Sequence, residues 1–246
     1  MSQPQNLRQI VDRQISVWGS KQGAQVEGMP SVRDALGHRT EGPWVTISTQ
    51  LGAGGTELAA RLGARLGWRV IDKEILQEIA KSTHTREQVF ARFDEHAVSA
   101  FDDFVAHLFS PGSPVRSAYV LELMRVVWAV ARQGEAILLG RGANWLLDPR
   151  YGVRVRAIAP VEKRVERLTR TQAISAAEAT RLVIEDNADR AKFTRQIFKQ
   201  DIDDPMGYDL VVNLGTLELD TVVELVAVAL SSKRIAALVA SSDRGT

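Results

Sequence analysis

The stretch at residues 45–56, VTISTQLGAGGT, constrains the fold of this chain more than any other. Residues 45–48 are rich in β-branched side chains, which predicts a short buried strand. The following run, ELAARLGARLGW, has apolar residues at helical spacing and predicts a helix. A glycine loop between a strand and a helix N-terminus can direct backbone N–H groups at an anion, because glycine has no Cβ to block approach. The sequence therefore predicts a phosphate site in this loop.

The loop matches the Walker A pattern GxxxxGK[ST] only in part. Gly54 falls on the second glycine and Thr56 on the hydroxyl residue that reaches Mg²⁺. Thr49 replaces the first glycine, and Gly55 replaces the lysine that normally meets the β and γ phosphates. The loss of the lysine weakens the argument for catalysis more than the argument for phosphate binding.

A dinucleotide site is the second interpretation. Gly52 and Gly54 match the start of GxGxxG, and Asp72 lies at the right distance to contact a ribose. Against it, Glu57 replaces the third glycine, and residues 49–51 lengthen the turn before Gly52, as a loop that wraps a phosphate needs. Nucleotide-phosphate binding is therefore favoured, and an ordinary glycine turn in an α/β protein is the remaining alternative.

Composition narrows the class of protein. The 246 residues are 45% hydrophobic and 25% charged with a formal net charge of +1, which favours one globular domain without a general nucleic-acid surface. There is no cysteine, so disulfides and thiolate metal sites are excluded, and the histidines show no HExxH spacing. No apolar run reaches the length that spans a bilayer. We expect a cytoplasmic protein that binds no membrane.

Breaks in the pattern divide the chain into segments. An apolar stripe at residues 6–19 predicts a short helix that packs on the body of the protein or on another subunit, so a homo-oligomer is one expectation. This helix and the linker after it form an N-terminal arm at 1–42. The compact domain is expected at 43–240, with a helical insertion at 83–134, a lid region at 160–200 and a disordered tail at 241–246.

Two charged residues follow predicted strands. Asp72 ends a strand at 68–71, where it would touch a sugar, a base or a metal-bound water, or cap the next helix. Arg141 lies between two glycines after the apolar run AILL, so its guanidinium is expected to project over the carboxyl edge of the sheet. There it would contact a phosphate or carboxylate; the alternative is a structural ion pair.

The helices predicted at 161–170 and 178–198 are rich in basic residues. They would form either a lid whose arginines swing over a transferring phosphoryl group or a solvated face. Further strands are predicted at 153–158 and 208–212, and a final helix at 217–238. Five short strands alternating with helices are typical of a parallel sheet covered on both faces.

In their order, these motifs resemble those of the cytidylate kinase-like family, relatives of bacterial cytidylate kinases among the nucleoside monophosphate kinases. The resemblance rests on VTISTQLGAGGTELAARLGARLGW with VIDKEIL, on AILLGRGANWLL, and on VRVRAIAPVEKRVERL, DNADRAKF and DIDDPMGYDLVVNL. It implies an α/β P-loop kinase three-layer fold with a parallel five-stranded sheet, an inserted helical acceptor-binding region and a helical lid. It also implies ATP and Mg²⁺ as cofactors and CMP or dCMP as the expected acceptor.

The resemblance implies roles for individual residues. The ATP phosphate loop falls on Gly52, Ala53, Gly54, Gly55 and Thr56, with Thr56 also at the metal. The acceptor contacts fall on Asp72, Arg141 and Arg190, where Arg141 matches the arginine of a GRD motif. The catalytic arginines fall on Arg141, Arg164 and Arg167, the last two at the basic start of the lid.

Two positions depart from genuine cytidylate kinases: Gly55 replaces the loop lysine, and Gly142 replaces the aspartate after the GRD arginine. We expect in-line transfer of the γ-phosphoryl group of ATP to a nucleoside monophosphate, with lid arginines supplying the positive charge that Gly55 cannot. The alternatives are a nucleotide-binding module that has lost transfer and a kinase for another small acceptor.

Overall fold

The computed structural model describes residues 42–81 and 118–242, with side chains described except at Ala118 and at 234–242. The predicted N-terminal arm, most of the predicted insertion at 83–134 and the last residues of the tail lie outside the described residues. None of the helices in the described part of the chain has both the length and the apolar character needed to span a bilayer.

A parallel sheet forms the centre of the described domain. Its strands are β1 (Trp44–Thr49), β2 (Arg69–Ile71), β3 (Ala136–Leu139), β4 (Gly152–Ile158) and β5 (Leu210–Asn213). The strand order is β2-β3-β1-β4-β5, and every neighbouring pair is parallel. The prediction of a five-stranded parallel sheet is confirmed.

Seven α-helices connect or follow these strands within the described ranges: α1 (Gly55–Leu66), α2 (Lys73–Lys81), α3 (Ala118–Gln133), α4 (Ala143–Leu146), α5 (Val161–Gln172), α6 (Ala176–Phe198) and α7 (Leu219–Ser242). The sequence did not predict α4, which is a single turn. The strand predicted from Tyr208 begins instead at Leu210, because the Tyr208 N–H donates to the Pro205 carbonyl and closes a 3-10 turn at Pro205–Gly207.

Buried side chains form a layer on each face of the sheet. On one face, Trp44 and Leu138 pack with side chains of α2 and α3, including Val127. On the other face, Ile47 packs with side chains of α1 and α7, including Leu62. Burying one such aliphatic side chain contributes about 1.5–3 kcal/mol, so these layers, rather than surface ion pairs, hold the sheet together.

Asp209 fastens the edge strand β5 to its neighbours. Its carboxylate accepts the backbone N–H of Arg154 on β4 at 2.8 Å and the Lys233 Nζ of α7 at 2.7 Å. Burial opposes ionisation of this carboxyl, but the hydrogen bonds from Arg154 and Lys233 outweigh burial and hold the pKa of Asp209 below its ordinary value.

Replacing Asp209 with asparagine is expected to lower the free energy of unfolding near neutral pH by about 1–3 kcal/mol, because the backbone N–H and guanidinium of Arg154 and the ammonium of Lys233 lose a charged acceptor. The folded-state pKa of Asp209 is depressed, so its contribution is complete above the unfolded value of about 4 and is lost as the pH falls through the folded value. In urea unfolding, the difference between the wild type and Asp209→Asn should hold from neutral pH down to about pH 5 and shrink below about pH 4. A difference that does not shrink at acidic pH would contradict this.

The carboxyl ends of the strands bring two predicted segments together. The glycine loop follows β1, and the segment Gly140, Arg141, Gly142 follows β3, the strand paired with β1. The Gly140 N–H donates to the Ile47 carbonyl at 3.0 Å, which extends the pairing with β1 one residue past the end of β3. Open α/β sheets bind ligands at this edge.

Candidate phosphate-binding site

The glycine loop is shaped by hydrogen bonds at its two ends. The Gln50 N–H donates to the Ala157 carbonyl of β4 at 3.1 Å, and the Ala53 N–H donates to the Gln50 carbonyl at 3.0 Å. Gly52 and Gly54 have φ of 79° and 98°, in the left-handed region that favours glycine. The chain therefore turns sharply twice before it enters α1.

Backbone donors without protein acceptors line this loop. Among the described residues, no acceptor pairs with the N–H groups of Gly52, Gly54, Gly55 or Thr56. The last three stand at the start of α1, where the helix leaves its first donors unpaired and adds partial positive charge. Backbone donors grouped around left-handed residues form a concavity that binds anions. The geometry thus fits a phosphate group.

The first helix of the predicted lid region lies directly against the loop. A Cβ on Gly52 would come within 2.6 Å of the Arg164 carbonyl oxygen of α5, and a Cβ on Gly54 would collide with the Arg167 guanidinium. Leu51 packs against a small apolar cluster that contains Leu168 of α5 and Val183 of α6. The loop and the two basic helices are therefore one packed unit in this structure.

Arg164 joins the loop to both helices. Only 1% of its surface is exposed; its Nε donates to the Leu51 carbonyl at 2.8 Å, and its Nη2 donates to the Asn187 Oδ1 of α6 at 2.9 Å. Burial lowers the pKa of the Arg164 guanidinium below its ordinary value. These contacts give Arg164 a positioning function, and its direct part in catalysis stays a prediction.

Replacing Arg164 with lysine is expected to lower the free energy of unfolding by about 1–2 kcal/mol. A lysine keeps the charge, but its single ammonium group cannot hold two acceptors as the planar guanidinium fork does. Urea unfolding measures the effect, with Arg170→Lys as the control, because Arg170 is exposed on the same helix. An equal stability of the two variants would contradict the positioning function of Arg164.

Arg167 and Arg190 differ in their surroundings. The Arg167 Nη1 is shielded from solvent and has no hydrogen-bond partner among the described residues. Arg190 is engaged within its own helix, where its Nε donates to the Asp186 Oδ2 at 2.6 Å. An acceptor contact by Arg190 would require this ion pair to open.

Arg141 has an unusual backbone. Its φ is 57°, and the flanking Gly140 and Gly142 have φ of 71° and 69°, so the three residues in succession are left-handed. A non-glycine residue in this region costs about 1 kcal/mol or more, and such strain concentrates at functional sites. The Arg141 Nε is buried without a hydrogen-bond partner in the described part of the chain. Arg141 thus holds an unpaired donor near the loop.

Gly55 and Gly142, the two positions that depart from genuine cytidylate kinases, are each closely packed against another side chain. A Cβ at position 55 would collide with the Thr49 side chain, and a Cβ at position 142 would collide with the ring of Phe198 at the end of α6. Phe198 is only 6% exposed and belongs to the core layer. At each of the two positions, a neighbouring side chain occupies the space that a Cβ would need, so only glycine fits.

Asp72 and Thr56 complete the set of predicted residues. The Asp72 Oδ1 accepts the Ile75 N–H at 2.9 Å, so it caps α2, as the alternative interpretation of the sequence had it. Thr56 is exposed in the first turn of α1, next to the unpaired amides. Among the described residues, no group of three or more His, Cys, Asp or Glu side chains could hold a metal ion. Thr56, phosphate oxygens and water could together hold a metal at this loop.

Arg156 of β4 is a buried charged residue that the sequence interpretation missed. It is 5% exposed; its Nη1 donates to the Ser48 Oγ at 2.9 Å, and its Nη2 donates to the Asp203 carboxylate at 2.8 Å. The alternation of Val and Arg in VRVRAI was the available signal: β4 is an interior strand of the sheet, so both of its faces are covered. Arg156 anchors the loop after α6 to the sheet beside β1.

The sheet order and the glycine loop at the end of β1 define an α/β P-loop kinase fold. The model of the cytidylate kinase-like family matches residues 44–216. The chain belongs to this family.

Relatives at modest identity agree with this assignment. The chain is 26% identical over 193 residues to a cytidylate kinase of Methanocaldococcus jannaschii, which covers 76% of this chain and 97% of the relative. It is 25% identical over 183 residues to a cytidylate kinase of Ignicoccus hospitalis, covering 74% and 95%. A solved structure of an uncharacterized protein from Eubacterium ventriosum has the same fold, with a TM-score of 0.61 at 18% identity over 78% of this chain and 99% of that one.

Proposed function

We propose that this protein transfers the γ-phosphoryl group of ATP to a nucleoside monophosphate, with CMP or dCMP as the preferred acceptor. The observation that carries the proposal is the row of unpaired amides at Gly52, Gly54, Gly55 and Thr56, beside the strained Arg141. The names of the two cytidylate kinase relatives support the nucleotide acceptor.

The donor half of the site fits Mg·ATP. The loop amides would hold the phosphate oxygens, because they are donors without protein acceptors at a helix N-terminus. The exposed hydroxyl of Thr56 would contact Mg²⁺. When bound, Mg·ATP supplies the phosphoryl group and part of the charge that neutralises its transfer.

The acceptor half rests on Arg141. A guanidinium binds phosphate in a bidentate manner, and the side chain of Arg141 follows β3, next to the strand that carries the glycine loop. The backbone at 140–142 fixes where this side chain starts, so less conformational freedom would have to be lost on binding. Arg141 would thus align the acceptor phosphate with the donor, and positioning supplies much of the rate enhancement in such reactions.

A coupled assay of ADP formation with CMP, dCMP, UMP, AMP and GMP as acceptors tests the proposal. We expect turnover with the cytosine nucleotides to exceed that with the others, and ATP hydrolysis without acceptor to be slower. Turnover that is equal for all five nucleotides would contradict the acceptor preference.

A nucleotide-binding module without transfer is the second candidate function, and the absence of a lysine at position 55 favours it. Calorimetric titration with ATP beside the coupled assay separates the two functions. ATP binding without turnover on any monophosphate would favour the module, whereas a complete lack of ATP binding would contradict both.

A further inference from the structure

Position 55 cannot carry a side chain while Thr49 keeps its place. Gly55 is the first residue of α1, and its φ lies outside the left-handed region, so its backbone does not require glycine. Glycine is required here by the neighbouring side chain, because a Cβ at position 55 would collide with the Cβ and Oγ1 atoms of Thr49. Thr49 and Gly55 occupy the two positions at which the loop departs from GxxxxGK[ST]. The two departures are therefore one steric arrangement.

A cation reaches the loop from another helix. The Arg167 guanidinium of α5 lies against the α-carbon of Gly54, in the space that a side chain at that position would fill. Its Nη1 is buried without a hydrogen-bond partner among the described residues. The amides of Gly54, Gly55 and Thr56 are likewise without described acceptors. The guanidinium thus packs against the turn whose amides have no described acceptor, and an anion bound to those amides would lie close to the unpaired Nη1.

Arg164 is not an equivalent cation, although it lies one helical turn earlier on the same face of α5. Its Nε and Nη2 already donate to the Leu51 carbonyl and to Asn187. These bonds hold α5 against the loop and so set the distance of Arg167 from Gly54. The two arginines therefore have different functions. Arg164 positions the helix, and Arg167 keeps a donor group that has no partner among the described residues.

We propose that Arg167 is the phosphate-contacting cation of this loop in place of a loop lysine, and that Thr49 and Gly55 form a matched pair that keeps lysine out of position 55. The proposal rests on the proposed function insofar as the phosphate is that of a nucleoside triphosphate. It goes beyond that function in two ways. It assigns to Arg167 the positive charge that a loop lysine would supply, and it gives a steric reason why no lysine stands at position 55.

The first test measures binding rather than activity. ATP and inorganic tripolyphosphate are titrated calorimetrically into the full chain, into Arg167→Gln and into the control Arg170→Gln, an exposed residue of the same helix. We expect Arg167→Gln to raise the Kd for both ligands about tenfold or more, because one charge-assisted contact is lost, and Arg170→Gln to leave it unchanged. An unchanged Kd in Arg167→Gln would overturn the proposal, even if the wild type is an active kinase.

The second test rebuilds the loop. Thr49→Gly with Gly55→Lys converts residues 49–56 into GQLGAGKT, a complete GxxxxGK[ST] pattern. In the Arg167→Gln background this pair should restore ATP affinity to near the wild-type value. Gly55→Lys alone should lower Tm, whereas the pair should be as stable as Thr49→Gly alone. A lack of rescue overturns the role of Arg167 as the replacement for lysine, and an unchanged Tm for Gly55→Lys overturns the matched pair.

Phosphate binding by Arg167 and phosphoryl transfer can fail independently of each other. If ATP binds and Arg167→Gln weakens it, but no monophosphate is phosphorylated, the proposed transfer fails and the assignment of Arg167 stands. If the wild type binds neither ATP nor tripolyphosphate, both fail.

Discussion

Replacing Arg141 with methionine is expected to lower kcat/KM for CMP by roughly 30- to 1000-fold, through a higher KM for the acceptor. The substitution removes a charge-assisted, bidentate contact with a phosphate, which is worth about 2–4 kcal/mol at a partly desolvated site. Methionine resembles the unbranched stem of arginine, so the left-handed backbone at residue 141 costs much the same in both proteins.

A lysine variant and the affinity for ATP distinguish loss of the phosphate contact from loss of structure. Arg141→Lys keeps the charge but not the planar fork, so its kcat/KM should lie between those of the wild type and Arg141→Met. The Kd for ATP should be the same in all three proteins, because the donor phosphates are held by the loop that follows β1. An acceptor KM in Arg141→Met equal to that of the wild type would remove Arg141 from the site.

Local patterns in the sequence were sufficient to predict most of the fold. A β-branched run, glycines and an amphipathic run follow one another at residues 45–66, and each element is specified by its own neighbours. The same holds for AILL before the glycines at 140 and 142. Consequently the parallel sheet and the position of the loop at its carboxyl edge agree with the sequence interpretation.

Contacts between distant segments could not be predicted in this way. The sequence shows two arginines three positions apart in VEKRVERL, but only packing against the loop makes Arg164 buried and bonded while Arg167 keeps an unpaired donor. Arg156 is a similar case, because the loop after α6 supplies Asp203 as its partner. A single sequence carries no signal for such pairs, since each partner alone is an ordinary charged residue.

The glycines that depart from genuine cytidylate kinases show the same limit. From the sequence, Gly55 and Gly142 are two missing functional groups. In the structure each has a neighbour that fills its side-chain space, Thr49 for one and Phe198 for the other. The departures are thus changes in packing as well as in chemistry. We therefore expect that restoring the lysine or the aspartate alone will destabilise the protein.

Restoring the GRD motif by Gly142→Asp is expected to lower the free energy of unfolding by about 2–4 kcal/mol. The aspartate Cβ would collide with the Phe198 ring, and overpacking of a core costs about 1–3 kcal/mol. The residue must also keep a φ of 69°, which adds about 1 kcal/mol, although Asp tolerates it better than most residues. For a domain of this size, Tm should fall by about 4–16 °C.

A double-mutant cycle with Phe198→Ala tests the cause of this loss. Phe198→Ala alone should destabilise the protein by about 3–5 kcal/mol, because the ring is buried and contacts Phe193 edge-on. If the collision is the main cost, Gly142→Asp should cost about 1–3 kcal/mol less in the Phe198→Ala background than in the wild type. Additive losses in urea unfolding would show that the backbone conformation, and not Phe198, excludes the aspartate.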